Sequence, residues 1–206
     1  MKQKITLRQL NVMLTGLLFA AYSAYNVFVA IRDGMRGLSS EGIIISLVVA
    51  LMFAVLAGFV WTSELKTDDI RILIVRRTAF IIALFTIFAL KLRMVGRVIA
   101  YLDFSQANTV LYGGAYIMTQ AALLLLLIYY VFILKRLPLY PRASVIIPII
   151  AIILFLCSLI LEAILFFLYG IGLEANMLRS AVMRPVFYLG FICLSRYFLF
   201  PPQLEK

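Results

Sequence analysis

Residues 43–62 read IIISLVVALMFAVLAGFVWT, an apolar run that contains no charged side chain. A helix of about 20 apolar residues is long enough to cross the ~30 Å hydrocarbon core of a bilayer. Comparable runs recur along the 206 residues, of which 65% are hydrophobic and 14% are charged. A soluble domain of this size could not bury so much apolar surface, whereas lipid accepts it. The sequence therefore predicts an all-α integral membrane protein with a single membrane domain over residues 1–206.

Hydropathy predicts six transmembrane helices in this domain. They cover residues 11–31, 43–62, 78–99, 110–134, 145–171 and 181–200. The first apolar run continues through Ile31, which is longer than the apolar region of a signal peptide, so we expect an uncleaved span. Pro148 and Pro185 are expected in the first turns of their helices, where the missing N–H costs little.

The distribution of Lys and Arg predicts the orientation of these spans. With the N-terminus inside, twelve of the 19 Lys and Arg residues fall on the cytoplasmic side and seven on the outer side. Short cytoplasmic loops carry an excess of these residues. We therefore expect both termini in the cytoplasm, in the plasma membrane of a prokaryote. The net charge of +10 is explained by the same rule, and no nucleic-acid partner is expected.

The third apolar segment is unusually short. Residues 78–90 (TAFIIALFTIFAL) supply only ~20 Å of helix before Lys91, Arg93 and Arg97 follow. Cations inside a span are costly, and they are commonly paired, directed at a cavity, or functional. The preceding residues 63–77 (SELKTDDIRILIVRR) allow two interpretations, a short helix in the membrane plane or an inner extension of the third span.

Polar side chains recur in the outer halves of five predicted spans. Arg93 and Arg97 share one face of the third span, whereas Lys91 is expected to point away from that face. Tyr116 and Gln120 lie one turn apart on the fourth span. The candidate ligand-binding residues are Asn26, Arg93, Arg97, Tyr116, Gln120, Glu162, Arg184 and Tyr188.

Glu162 is the acidic residue placed well inside a span, and it decides the chemistry of this group. An ionised, unpaired carboxylate there would cost several kcal/mol, so it is expected to be protonated or matched by a cation. Pairing with Arg93, Arg97 or Arg184 leaves positive charge over, which favours an anionic or zwitterionic ligand in an outward-facing polar cavity. The alternative is structural: interfacial tyrosines, arginines that reach lipid headgroups, and a Glu–Arg pair that only joins helices.

Small residues recur at every fourth position of the first two spans, where they allow close approach of helix backbones. The set comprises Gly16, Ala20 and Ala24 on the first span and Ser46, Ala50, Ala54 and Gly58 on the second. Either the first helical hairpin packs against itself, or these faces dock on another membrane subunit or on a second copy of the chain.

Two segments suggest an inverted repeat of three spans per half. Residues 24–32 (AYNVFVAIR) and 128–136 (IYYVFILKR) share Tyr, Val, Phe and Arg at matching positions. Such repeats are common in secondary transporters.

In size, number of spans and the segment Ala20–Ala24 (AAYSA), the chain resembles the substrate-binding S subunits of energy-coupling-factor vitamin transporters. The similarity is an analogy of size and topology. It implies a six-span protein with an outward-facing ligand site and an Ala-x-x-x-Ala packing face on the first span.

Composition excludes most familiar intramembrane chemistry. The chain contains no histidine, which removes His-ligated haem, the common zinc motifs and His-dependent nucleophiles. Cys157 and Cys193 both fall near the middle of predicted spans and are expected to be packing residues. We predict no catalytic residue, no metal ligand and no cofactor.

Three functions compete for this sequence. The leading hypothesis is a membrane protein that binds or transports a small anionic or zwitterionic solute. The alternative is a non-catalytic membrane subunit or assembly factor that packs on a partner through its small-residue faces. The third is an enzyme acting on outer-leaflet lipid headgroups, which no nucleophile–base spacing supports. An enzyme is thus less favoured than a binding protein or a subunit.

Overall fold

The computed structural model describes residues 6–37, 39–63, 69–100, 106–133, 141–169 and 182–199. Six helices make up almost all of this part of the chain, and it contains no β-strand. They are α1 (Leu7–Met35), α2 (Ser40–Thr62), α3 (Ile70–Ala100), α4 (Ala107–Ile128), α5 (Pro141–Tyr169) and α6 (Arg184–Leu199). A π-helical segment, Tyr129–Ile133, continues α4. The all-helical fold predicted from the sequence is confirmed.

Within the described ranges, five stretches of helix are long and apolar enough to cross a bilayer. These are Leu7–Met35, Ser40–Thr62, Ile70–Arg93, Ala107–Phe132 and Arg142–Leu168. Their outer surfaces carry large exposed apolar side chains, among them Phe167, Leu168 and Met35. Exposed apolar surface of this extent would drive aggregation in water, whereas it is solvated by lipid. The chain is therefore an integral membrane protein. The 16 described α-helical residues of α6 extend for ~24 Å.

Helix α1 begins four residues before the predicted span because a capping box fixes its first turn. The Thr6 hydroxyl accepts a hydrogen bond from the Gln9 backbone N–H at 3.2 Å. In return, the Gln9 side-chain oxygen accepts one from the Thr6 N–H at 2.9 Å. Two N–H groups at the helix start, which lack partners within the helix, are satisfied in this way.

Helix α3 begins at Ile70, eight residues before the predicted start, and continues without interruption to Ala100. Of the two interpretations of residues 63–77, an extension of the third span is confirmed for residues 70–77, whereas residues 64–68 lie outside the described part of the chain. The Asp69 carboxylate accepts a hydrogen bond from the Arg71 N–H at 2.8 Å, which supports a helix start at this point. Residues 70–93 alone extend for ~36 Å, so the crossing no longer requires residues beyond Arg93.

The prediction for Pro148 is wrong, and the one for Pro185 is confirmed. Helix α5 begins at Pro141, a residue type preorganised for the first helical position. Pro148 consequently lies two turns inside the helix, where its ring nitrogen has no hydrogen to donate. Pro185 is the second residue of α6, inside the first turn.

The chain forms two compact units, residues 1–87 and 88–206. In the first unit α1 and α2 pack as an antiparallel hairpin. The ring centroids of Phe19 and Phe53 lie 5.6 Å apart, and the Ser23 hydroxyl donates to the Ala50 carbonyl oxygen at 2.7 Å. At the opposite end of the hairpin, the Trp61 indole covers Gly16 so closely that a Cβ atom there would overlap it.

Only some residues of the small-residue faces are buried in the described structure. Gly16 and Ala50 are buried, whereas Ala24 and Ala54 are exposed and Gly58 adjoins open space. Ala20 and Ser46 are half-buried. Aromatic side chains fill much of the interface between α1 and α2. The contact between the two helices therefore does not follow the small residues at every fourth position. Docking on a partner through the exposed members stays a prediction.

The second unit packs α4, α5 and α6 around an aromatic core. Phe155 of α5 stacks on Phe191 of α6 with ring centroids 5.3 Å apart. At the end of α6, the buried Tyr129 hydroxyl donates to the Phe198 carbonyl oxygen at 3.1 Å. Such a bond satisfies a last-turn carbonyl that has no partner within its helix.

The two segments of the suggested repeat differ in local structure. Ala24–Arg32 is regular α-helix within α1. The corresponding residues 129–133 are π-helical, and residues 134–136 lie outside the described part of the chain. The inverted repeat stays a prediction, as does the single membrane domain over residues 1–206.

Candidate functional site

Glu162 on α5 is the centre of a polar group in the second unit. Its side chain is only 8% exposed. The Arg184 guanidinium donates through Nη1 to Glu162 Oε2, and the Tyr188 hydroxyl donates to Oε1 at 3.3 Å. Arg184 and Tyr188 are four residues apart on α6, so they project from the same face and reach one carboxylate. Both carboxylate oxygens are thereby satisfied, as a buried charge requires.

Two small hydroxyl side chains extend this group towards α4. Thr119 Oγ1 lies 3.4 Å from the Tyr188 hydroxyl and donates to the Ala115 carbonyl oxygen at 2.7 Å. Ser158, one turn before Glu162 on α5, contacts the same Ala115 carbonyl oxygen at 3.1 Å. Sequence reasoning missed Thr119, although its position next to Gln120 placed it at the right depth.

Lys91 lies on the opposite side of α3 from Arg93, as predicted, but the expectation that this side faces away from the polar group is wrong. Its ammonium lies 4.6 Å from the centroid of the Phe187 ring and 5.6 Å from that of the Tyr116 ring. Contacts of this kind attract a cation to the negative face of an aromatic ring. Lys91 therefore reaches both α4 and α6.

Arg93 and Arg97 have a different status in the structure. Arg93 is two residues beyond Lys91, about 200° further around the helix, and it is exposed. The backbone of Arg97 is helical, but its side chain lies outside the described residues. On α3, the structure thus brings Lys91 to the rings of Tyr116 and Phe187, and the ligand-binding roles of Arg93 and Arg97 stay predictions.

Gln120 is the candidate residue that most needs an explanation. It is buried, with 7% of its surface exposed, and its Nε2 donates to the Phe88 carbonyl oxygen on α3 at 3.4 Å. Its Oε1 atom is buried, and no described residue donates a hydrogen bond to it. Exchanging the two amide atoms would place an oxygen against the Phe88 carbonyl, so the nitrogen is correctly assigned to that contact.

Tyr116 lies between Lys91 and a second tyrosine of α4. The Tyr112 and Tyr116 hydroxyls are 3.2 Å apart, and their ring centroids are 4.9 Å apart. Tyr112 continues the stripe of Tyr116 and Gln120 along one face of α4, since the three residues are spaced by four.

Asn26 belongs to the first unit. Its side-chain amide donates to the Tyr22 carbonyl oxygen at 2.8 Å within α1. This bond gives Asn26 a structural role in its own helix, independent of any ligand.

We call Lys91, Tyr116, Gln120, Glu162, Arg184 and Tyr188 the Glu162 cluster. It joins α3, α4, α5 and α6 and combines two cationic side chains, one carboxylate, two phenolic hydroxyls and a buried amide. No family model matches the chain, and no curated protein and no solved structure is significantly similar to it. The resemblance to vitamin-transporter S subunits therefore remains an analogy, and the function must be argued from the cluster.

Proposed function

We propose that this protein is a six-span membrane protein, with both termini in the cytoplasm, that binds or moves a small anionic or zwitterionic solute. The solute site is the Glu162 cluster, which opens to the outer side of the membrane as a polar cavity. The observation that carries the proposal is a carboxylate held by Arg184 and Tyr188 with a second cation, Lys91, in the same cluster.

The charges of the cluster support an anionic group on the ligand. Arg184 and Lys91 contribute two positive charges, and Glu162 contributes one negative charge. Electrostatic attraction is several times stronger in the low dielectric of a membrane interior than in water. The planar guanidinium carries five N–H donors, so Arg184 can bind Glu162 and a second anion together.

The same geometry favours binding over catalysis. A general base must lie within hydrogen-bond reach of the substrate proton that it removes. Each oxygen of Glu162 is already engaged by a side chain of α6, one by Arg184 and the other by Tyr188. We therefore assign Glu162 the role of holding Arg184 in position.

The proposal is tested by ligand-induced stabilisation of the purified full-length chain in lipid nanodiscs. We would compare succinate, inorganic phosphate, 4-aminobutyrate and choline by thermal unfolding. A ligand at 100 times its Kd stabilises the folded state by about 2.7 kcal/mol. We expect at least one anionic or zwitterionic probe to raise the unfolding temperature and choline to leave it unchanged. Stabilisation by choline alone, or by none of the four, would contradict the proposal.

Substitution of Glu162 then locates the site. Glu162→Gln removes the charge that positions Arg184, and we expect it to weaken probe binding by tenfold or more, since hydrogen bonds to charged groups contribute about 1.5–3 kcal/mol. Glu41→Gln is the matched control, because Glu41 is exposed in the first turn of α2. Equal probe affinity in the wild type and Glu162→Gln would place the site elsewhere.

A further inference from the structure

Two arginines lie at the end of the first unit where α2 ends and α3 begins. Arg76 and Arg77 occupy the second turn of α3, and both are half-buried. Among the described residues, no carboxylate forms an ion pair with either of them. Partly buried cations are costly unless an anion or several hydrogen bonds compensate their charge. The positive charge of this pair therefore attracts an anion.

A hydrogen bond to α2 fixes the depth of this pair in the bilayer. The Arg76 guanidinium donates through Nη1 to the Thr62 carbonyl oxygen, in the last turn of α2. Trp61, the preceding residue, packs its indole over Gly16 and stays partly exposed. Tryptophan is enriched at the interface between membrane and water. The Arg76 guanidinium therefore lies at the level of the lipid headgroups, with four of its five N–H donors not bonded to a described residue.

Arg77 is directed to the same surface of the membrane. Helical side chains tilt towards the N-terminus of their helix, and the N-terminal turns of α3 lie at this end of the unit. Arg77 forms no hydrogen bond with a described residue. A guanidinium binds phosphate oxygens through two parallel N–H donors. Two such groups at headgroup depth are suited to the phosphate of a lipid.

An exposed apolar face of α3 continues from these arginines into the bilayer. Ile74, Ile82 and Phe85 are each more than half exposed. Ile74 and Phe85 are eleven residues apart, about three helical turns, so they share one face. That separation, ~16 Å, matches half of the ~30 Å hydrocarbon core. Arg77 borders the face, three residues after Ile74. The acyl chains of a lipid held by its headgroup can therefore lie along this face.

We infer that Arg76 and Arg77 bind the headgroup of an anionic phospholipid, whose acyl chains lie along the exposed face of α3. Charge complementarity selects an anionic lipid, because the two guanidiniums repel the ammonium of a zwitterionic lipid. Basic sites at the cytoplasmic ends of membrane helices bind anionic headgroups, and this end of the unit is cytoplasmic in the orientation proposed above. Binding here does not require the solute proposed for the Glu162 cluster.

Trp61, the single tryptophan of the sequence, lies beside this site and reports a lipid bound there. The full-length chain is reconstituted into phosphatidylcholine bilayers that contain the same small fraction of either phosphatidylglycerol or phosphatidylcholine with brominated acyl chains. Bromine quenches tryptophan fluorescence on contact, so the quenching gives the relative occupancy of the site by the two lipids. One cation near an anionic lipid surface raises affinity about fivefold. We therefore expect phosphatidylglycerol to be preferred by at least about fivefold, and by about 25-fold where the two contributions multiply.

Two variants and one control assign the preference to residues. Arg77→Gln should lower it about fivefold, while the hydrogen bond between Arg76 and α2 is kept. The double variant Arg76→Gln/Arg77→Gln should abolish it. Arg142→Gln is the control, because Arg142 is also expected on the cytoplasmic side but is exposed at the start of α5. The wild type and Arg77→Gln decide the matter if the double variant fails to fold.

The outcomes separate a specific lipid site from a general attraction of charge. Loss of the preference in Arg77→Gln, with retention in Arg142→Gln, would support the site. Equal quenching of the wild type by the two brominated lipids would overturn it. An unchanged preference in Arg77→Gln would also overturn it, as would an equal loss in Arg142→Gln, since overall positive charge would then attract the lipid.

Discussion

Lys91 and Arg93 are two residues apart on one helix, yet they have different surroundings. The Lys91 ammonium is held over two aromatic rings, whereas Arg93 is exposed. A desolvated cation–π contact contributes up to about 2 kcal/mol, and exposed substitutions are usually within about 0.5 kcal/mol of neutral. We therefore expect Lys91→Met to lower the free energy of unfolding by about 1–2 kcal/mol, and by more than Arg93→Met. Unfolding in detergent measures both, and the reverse ranking would contradict the assignment of Lys91 to the cluster.

The Glu162–Arg184 pair predicts a second, non-additive result. Removing one partner of a buried ion pair leaves an uncompensated charge and costs about 3–5 kcal/mol, whereas removing both can be almost neutral. Arg184→Met should therefore destabilise the protein more than the double variant Arg184→Met/Glu162→Met. The unfolding free energies of the wild type, Arg184→Met, Glu162→Met and the double variant form a double-mutant cycle. Simple additivity would mean that the two charges do not stabilise each other.

How much of the site could be predicted from the sequence depends on the residue. A cation partner for Glu162 was predictable because a carboxylate inside a span has few alternatives, and Arg184 was among the three candidates. The contacts of Lys91 are not predictable from the sequence. The spacing of Arg93 and Arg97 shows that they share a face of α3, but it does not show which face packs against α4. Which face meets α4 is decided by contacts such as Gln120 with Phe88, which are distant in sequence.

Hydropathy located the helices but not their ends. The core of every predicted span is helical, because each apolar run must bury its backbone polar groups in a helix. The starts of α1 and α3 were placed too late, since Thr6 and Asp69 initiate these helices within polar sequence. The apparent shortness of the third span followed from that error, as residues 70–77 supply the missing length.

The hairpin of α1 and α2 offers a matched pair of glycine variants. A Cβ at Gly16 would overlap the Trp61 indole, whereas one at Gly58 meets nothing within 4 Å. Ala is favoured over Gly by about 1 kcal/mol in a helix interior. Gly58→Ala should therefore be neutral or stabilising, and Gly16→Ala should lose that gain by displacing Trp61. Trp61 is the single tryptophan of the sequence, so its fluorescence spectrum reports the displacement directly. An unchanged spectrum in Gly16→Ala would contradict the close packing.

The hydroxyl of Tyr129 stabilises the end of α6. Tyr129→Phe removes its hydrogen bond to the Phe198 carbonyl and should lower the free energy of unfolding by about 1 kcal/mol. Tyr197→Phe is the control, because the contact of Tyr197 with Phe198 is between rings and survives the change. Thermal unfolding of the two variants, compared with the wild type, decides the matter. If the two variants are equally stable, the Tyr129 hydroxyl does not stabilise the end of α6.

Whether α6 crosses the membrane determines the topology of the whole molecule. Five helices are long enough to span among the described residues, and the described α-helical part of α6, Arg184–Leu199, extends for ~24 Å, against a hydrocarbon core of ~30 Å. We predict that it crosses, with local thinning of the bilayer or tilted neighbours making up the difference. Green fluorescent protein fused after Lys206 should then fluoresce in the cytoplasm, and alkaline phosphatase at the same point should be inactive. An active phosphatase together with a cytoplasmic N-terminal fusion would show five crossings.

The separation of Glu162 from Arg184 along the chain has a consequence for synthesis. The two residues are 22 positions apart, and Glu162 is made first. At a synthesis rate of about 5–20 residues per second, Arg184 is made about 1–4 s after Glu162. During that interval α5 enters the bilayer with an acidic group that the finished protein neutralises and the nascent chain does not. Helix α6 thus completes the ion pair only after α5 has been made, and slow translation between these two codons should lower the yield of inserted protein.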